Sequence, residues 1–196
     1  GRSAAARGDT HADETGDGVV VFDVETTELI EETVALGDMT VSVAAATRIP
    51  RAATVAAALE GAETQTFWHE SVRRAPDGTP ARAVEEMLGR FDAARVIVAY
   101  NGRRFDMHVL RRLYRGDDAR WEAHVAKLHD PFAAAVHCAG RRVKLDALLK
   151  LNRVAGKTGA GCDAPRWWVE GKLTRLAEYC ARDVEALVEL VMRQEV

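Results

Sequence analysis

The sequence predicts an α/β domain built on a mixed sheet, and three observations predict it. Apolar, β-branched runs crowd the first third of the chain. From about residue 79, helical periods alternate with short apolar runs, and the last third is helical throughout. This order puts hairpin-paired strands on one side of a sheet and crossover connections on the other. The chain has 196 residues, 47% of them hydrophobic, which suits one compact domain with its own core.

Residues 1–17 are small, polar and charged, and read as a disordered tail ahead of a single domain over 18–196. Gly18 to Glu25 is strand one, "MTVSVAAATRI" (Met39 to Ile49) strand two, and "TQTFWHE" (Thr64 to Glu70) strand three. "PDGTP" is a turn; Thr79 is expected to cap a helix with Pro80 at its first position, running to Asp92. Val84, Met87, Leu88 and Phe91 have helical spacing there. "RVIVAY" (Arg95 to Tyr100) is a short buried strand, and Arg104 to Tyr114 returns to a helical period. A helical segment containing Trp121 leads to "KLHD", the fifth strand. Helices follow over Pro131 to Ala139, Leu145 to Leu151 and Lys172 to Gln194.

A net charge of -3 gives no global basic field, so a nucleic-acid partner would have to meet a local patch. Three cysteines (Cys138, Cys162, Cys180) cannot close a disulfide framework, which predicts a reducing, intracellular compartment. No apolar run reaches the roughly 18 residues of a membrane span, and the start of the chain has no apolar signal core. No membrane partner is expected, and a monomer is.

Three stretches place acids where apolar residues belong. In "VVVFDVETT", period two puts Val19, Val21, Asp23 and Glu25 on one strand face and Val20, Phe22 and Val24 on the other. A strand end meeting solvent would also explain this pair. In "YNGRRFDMHVLRRLY", Asp106 falls in the first helical turn, in phase with Val109, Leu110 and Leu113. The helix dipole favours an acid there but does not set its phase. In "LAEYCARDVEALVEL", Tyr179 and Asp183 are four apart and in phase with Leu176 and Leu187, whereas Glu178, Glu185 and Glu189 fall on other faces. A buried Tyr–Asp hydrogen bond would also account for this pair. Taken together, four inward carboxylates converge in one core, where like charges repel. Hard divalent cations with oxygen ligands, two Mg²⁺ or Mn²⁺ ions, resolve the repulsion and serve phosphoryl transfer.

"FDVETT", "NGRRFD" and "YCARD" resemble, in order and spacing, the three motifs of the DEDD superfamily of 3′–5′ exonucleases, in its tyrosine (DEDDy) variant. The similarity spans Gly18 to Val191 and resembles most the stand-alone relatives of the family-B DNA polymerase proofreading domain. The resemblance implies a ribonuclease H-like, mixed five-stranded sheet: three antiparallel strands, then parallel crossovers, flanked by helices. It implies Asp23 as a ligand to both metals, Glu25 and Asp183 as ligands to the one nearer the attacking water, and Asp106 as a ligand to the second. Tyr179 would orient or deprotonate that water. Thr26, Thr27, Asn101 and Phe105 would hold the 3′ end, though a place in the core accounts for Phe105 equally well. The implied reaction is hydrolysis of the terminal phosphodiester of a single strand, DNA ahead of RNA, to nucleoside 5′-monophosphates. Association with a polymerase or helicase is left open. One feature departs from the family's substrate path: Glu28, Glu31 and Glu32 would repel phosphates unless they turn away.

Arg104, beside the second motif, and Lys157, in "GKTGAG", are expected to reach substrate phosphates. "GKTGAG" is not a Walker A loop, because Leu151 stands where its first glycine belongs and a helix precedes it. "LHD" weakly suggests a histidine-aspartate phosphohydrolase, but the other histidines lack a matching pattern. Cysteines and histidines show no zinc spacing, and none of the three serines lies in G-x-S-x-G. The pairs Arg103–Arg104, Arg111–Arg112 and Arg141–Arg142, with Lys144, are either a solvated surface or a phosphate-tracking groove. Trp167 and Trp168 are adjacent and cannot share one helix stripe: either one is exposed for stacking or, as expected here, both pin the last helix. The rivals are an RNA 3′-end-processing exoribonuclease and a catalytically inactive nucleic-acid-binding module of the same fold.

Overall fold

The structure, a computed structural model, describes residues 18–28, 39–50, 55–155 and 161–194. The expected tail, Glu31, Glu32 and Lys157 lie outside them. Five strands, β1 (Gly18–Thr26), β2 (Val41–Ile49), β3 (Glu63–Trp68), β4 (Ala94–Val98) and β5 (Leu128–His129), form one sheet in the order β3-β2-β1-β4-β5. β1 pairs antiparallel with β2 and β2 with β3, while β4 runs parallel to both β1 and β5. This is the mixed ribonuclease H-like sheet that the resemblance implies.

Short α1 (Val55–Glu60) links β2 to β3. Helices α2 (Val84–Ala93), α3 (Asp106–Arg111) and α4 (Asp118–Ala126) cover one face of the sheet. Of the later helices, α5 (Pro131–Ala139) follows β5. Helices α6 (Leu145–Leu151), α7 (Ala164–Val169) and α8 (Leu173–Gln194) cover the other face. β1 is central and feeds both layers by alternation. Val20, Phe22 and Val24 pack with Met87, Phe91 and Leu110, whereas Val21 packs with Leu176, Cys180 and Val184 of α8. The face carrying Asp23 and Glu25 is therefore the one α8 covers. On β2, Ala45 stands opposite Asp23, and its small side chain leaves room for α8 at this point.

Sequence boundaries move where tertiary pairing takes over. Strand two begins at Val41 rather than Met39, and strand three ends at Trp68 rather than Glu70. Strand four is Ala94–Val98, not Arg95 to Tyr100, because Asn101 turns the chain with a positive φ of 64°. The helix expected over Arg104 to Tyr114 is confined to Asp106–Arg111. Thr79 and Pro80 do not start α2. Thr79 donates from N and Oγ1 to Asp77 Oδ1 (2.9 and 2.8 Å) in a turn, and Pro80 bridges to Arg74. Residues 80–83 run beside β3, with Trp68 N donating to Arg82 O at 2.7 Å, and the helix starts only after Ala83. There Glu86 Oε1 accepts from Ala83 N at 3.2 Å, the carboxylate half of a capping box. α7 was not foreseen in the sequence; Pro165 lies in its first turn.

The layer under α4 holds a polar cluster. Asp92 Oδ1 accepts from Arg120 Nε and from His124 Nε2, each at 2.8 Å, while the rings of Phe91, Tyr114 and Trp121 surround the buried imidazole. Burial pulls the Asp92 carboxyl up, but its hydrogen bonds to Arg120 and His124 outweigh that and hold it below the usual carboxylate range. Stability from such a group is present above the unfolded carboxyl value of about 3.9 and is lost as pH falls through the lowered folded value. Asp92→Asn is therefore expected to unfold at lower urea than the wild type near neutral pH. The gap between the two midpoints should close below about pH 4.

Candidate metal centre and active site

β1 ends in the site. Period two directs both Asp23 and Glu25 to the face that α8 covers, and α8 brings Asp183 to them. Carboxylate oxygens of Asp23, Glu25 and Asp183 lie within 4.8 Å of one another. Glu25 is 9% and Asp183 2% exposed, so this is an inward cluster, not a solvated strand end. The strand distorts here: register shifts between Glu25 and Thr26, which skips Ser42, and Ser42 Oγ donates to Glu25 O at 3.1 Å. Such a bulge re-aims side chains at the end of a strand.

Asp106 lies outside the group of three but is tied to the same strand. Its Oδ1 accepts from Val24 N at 3.2 Å, and the side chain is 2% exposed. The β1 backbone between the two acids of the first motif is thus held by the acid of the second. Tyr179, one turn before Asp183, is buried with its ring edge against Trp167, centroids 5.4 Å apart. Trp167 takes the pinning role expected of the pair, while Trp168 is half-buried with its ring edge-on to His69.

The donor set fits hard divalent cations: it is all oxygen, anionic and drawn from rigid elements. Cys180 lies beside it, its Sγ 3.6 Å from Asp23 O and 3.9 Å from Asp23 Oδ2. Burial pushes this thiol well up, and the carboxylates of Asp23, Glu25, Asp183 and Asp106 push it further. Cys180 is consequently a protonated donor against Asp23, a contact that the motif spacing did not indicate.

The residues expected at the 3′ end cluster only in part. Thr26 is buried and gives its hydroxyl to Glu28 O at 2.7 Å; Thr27 N donates to Thr40 O at 2.8 Å. Glu28 turns its carboxylate onto Thr40 N (2.9 Å), so this acid is committed to a backbone partner. Phe105 is half-buried against the core layer under α3, and Arg104 is exposed. Asn101 Oδ1 is buried and has no hydrogen-bond partner among the described residues.

Asp130 organises this loop, and sequence reasoning had seen it only in the weak "LHD" pattern. Its carboxylate accepts from Asn101 N (2.8 Å), Arg103 N (3.2 Å) and Phe132 N (3.1 Å). It thereby caps α5 and holds the turn that leads into Asp106. Asp followed by Pro131 at a helix start was the available signal. Asp130→Ala leaves these N–H groups without their acceptor and is expected to cost about 1–3 kcal/mol, read from urea denaturation.

A model of the RNase_H superfamily matches residues 20–194, and the chain belongs to that superfamily. No curated protein sequence matches it. Among solved structures, it is similar to the family B DNA polymerase from the hyperthermophilic archaeon Pyrobaculum calidifontis. The TM-score is 0.56 at 16% identity, covering 88% of this chain and 24% of the polymerase chain. It is also similar to a structure of exonuclease I, with TM-score 0.53 at 16% identity, covering 90% of this chain and 41% of the other. The chain thus spans well under half the length of either neighbour. At this identity the likeness is one of fold, and chemistry has to be argued from the site. Among the described residues, no helix is long and apolar enough to cross a membrane.

Proposed function

We propose that the protein is a metal-dependent 3′–5′ exonuclease that trims single-stranded DNA to nucleoside 5′-monophosphates. The observation that carries this reading is the inward Asp23–Glu25–Asp183 cluster at the end of the central strand, with Asp106 bonded to that strand from the next motif. Asp23, Glu25, Asp106 and Asp183 would hold magnesium or manganese ions, which would supply Lewis-acid stabilisation of the charge that develops in phosphodiester hydrolysis. The chain supplies the rest. Asp23, Glu25 and Asp183 come from a strand and a long helix packed on each other, so their spacing is fixed before substrate arrives. Tyr179 has its ring locked by Trp167 and offers its hydroxyl oxygen as a hydrogen-bond acceptor that orients the attacking water. Asn101, on the turn held by Asp130, faces the 3′-terminal sugar with its unpaired carbonyl. Two similar folds belong to exonuclease I and to a DNA polymerase, which favours DNA over RNA as the substrate.

The test is a 5′-labelled DNA or RNA oligonucleotide incubated with the chain in Mg²⁺, Mn²⁺ or EDTA. A metal-dependent ladder that shortens from the 3′ end, faster on DNA, is expected. Binding without degradation in either metal would replace this reading with a non-catalytic module. Faster trimming of RNA would replace the substrate.

A further inference from the structure

We infer that Arg104 and Arg142, gathered over the ring of Phe132, form a phosphate-binding pad that holds the substrate strand beside the acidic cluster. Arg104 belongs to the loop that enters α3, and Arg142 follows α5; they are 38 positions apart in the chain. The fold brings both to one ring. The Arg104 guanidinium carbon is 6.0 Å and that of Arg142 5.8 Å from the Phe132 centroid. Phe132 is fixed in turn, 5% exposed and edge-on to Tyr100 at 5.6 Å. Arg103 and Arg141 flank the pair and are also exposed.

Like charges so placed repel, and the usual remedy is a carboxylate. Among the described residues none pairs with Arg104, Arg141 or Arg142; the ion pairs of this protein lie elsewhere, as at Arg111–Asp118, Arg120–Asp92 and Lys150–Asp146. Asp130, the acid that meets the Arg104 loop, has its oxygens on the N–H groups of Asn101, Arg103 and Phe132. The pad is thus a preformed cationic spot, with both guanidinium carbons within 6.0 Å of the centroid of one aromatic ring. It is anchored through Asp130 to the turn that carries Asn101 and leads to Asp106. A guanidinium that meets a ring rather than a carboxylate keeps its N–H fork free for a phosphate oxygen. The protein as a whole carries a net charge of -3, so attraction for a polyanion has to be local. Of the three basic pairs in the sequence, the Arg111 pair is the one the structure does not join to the others: Arg111 is spent on Asp118 and lies over Tyr114 and Trp121.

The choice of a single strand as occupant rests on the exonuclease reading; the existence of an anion pad at this place does not. Binding is therefore measured without turnover. Fluorescence anisotropy with a labelled oligo-dT strand is followed in EDTA across a salt series. The full chain is compared with Arg104→Ala/Arg142→Ala and with Arg73→Ala/Arg74→Ala. The last pair is exposed and follows β3, at the opposite edge of the sheet. Removing two phosphate contacts should reduce the slope of log affinity against log salt by about 1.4, at about 0.7 per contact on a single strand. The Arg73/Arg74 control should keep the wild-type slope. Arg104→Lys/Arg142→Lys should restore it, since the slope counts charges. An unchanged slope in the alanine variant, an equal loss in the control, or no recovery with lysine overturns the pad. Degradation in Mg²⁺ is scored separately. A chain that binds through these arginines but never cleaves sinks the exonuclease reading alone. A chain that cleaves and binds without them sinks the pad alone.

Discussion

Asp23→Asn is expected to slow 3′-end trimming by about 10³-fold or more, since losing several kcal/mol of transition-state stabilisation costs a factor of ten per 1.36 kcal/mol. Asparagine keeps the shape and loses the charge. The expectation follows from position. Asp23 is the acid nearest the middle of the site: it clusters with Glu25 and Asp183, touches Cys180, and is one peptide from the Val24 N–H that Asp106 accepts. Packing predicts the opposite for stability. Asp23 is half-buried and lies among like charges, so the variant should melt in EDTA at or above the wild-type temperature. Adding Mg²⁺ should raise the melting temperature of the wild type, because a ligand that binds only the folded state stabilises it, and should do little for the variant. Activity within tenfold of wild type would remove Asp23 from the site. A large drop in melting temperature in EDTA would mean that its role is structural.

The site was legible in the sequence to the extent that it rests on periodicity. In β1 the period of two separates Asp23 and Glu25 from Phe22 and Val24 with no help from tertiary structure, and the two packing layers divide the strand in that way. In α8 the phase of Asp183 against Leu176 and Leu187 placed it inward, while Glu178 and Glu185 point outward. What periodicity does not encode was lost. Thr79 and Pro80 have the residue types of a helix start, but Asp77 captures Thr79 and the bridges from Arg74 and Trp68 claim the segment. Asp130 acts on backbone N–H groups 27 and 29 positions earlier in the chain, and backbone groups carry no mark in a sequence. Cys180 looks like an ordinary core residue of α8 until β1 brings Asp23 against it. That Arg104 and Arg142 meet one ring, Phe132, depends wholly on the turn after β4 meeting the start of α5.

Trp167→Ala should cost about 3–5 kcal/mol of stability, as removal of a large buried ring does, and should also slow catalysis in the fraction that remains folded. The stability loss follows from burial: Trp167 is 2% exposed in the layer formed by α7, α8 and the sheet, and it carries the guanidinium of Arg175 over its ring at 4.5 Å. α7 spans only Ala164–Val169, too short to persist without such packing, so its loss should loosen the whole segment against α8. The catalytic loss follows from the edge contact with Tyr179. Without it the phenol gains freedom at the one place where the proposed chemistry needs a fixed hydroxyl. Trp167→Phe separates the two effects. It refills part of the volume and keeps an aromatic edge, so it should recover more of the rate than of the stability. Tyr179→Phe supplies the opposite case, with packing nearly kept and the hydroxyl gone: a small change in urea midpoint and a large fall in kcat. If both tryptophan variants lose rate only in proportion to the unfolded fraction, Trp167 supports the fold and does not position Tyr179.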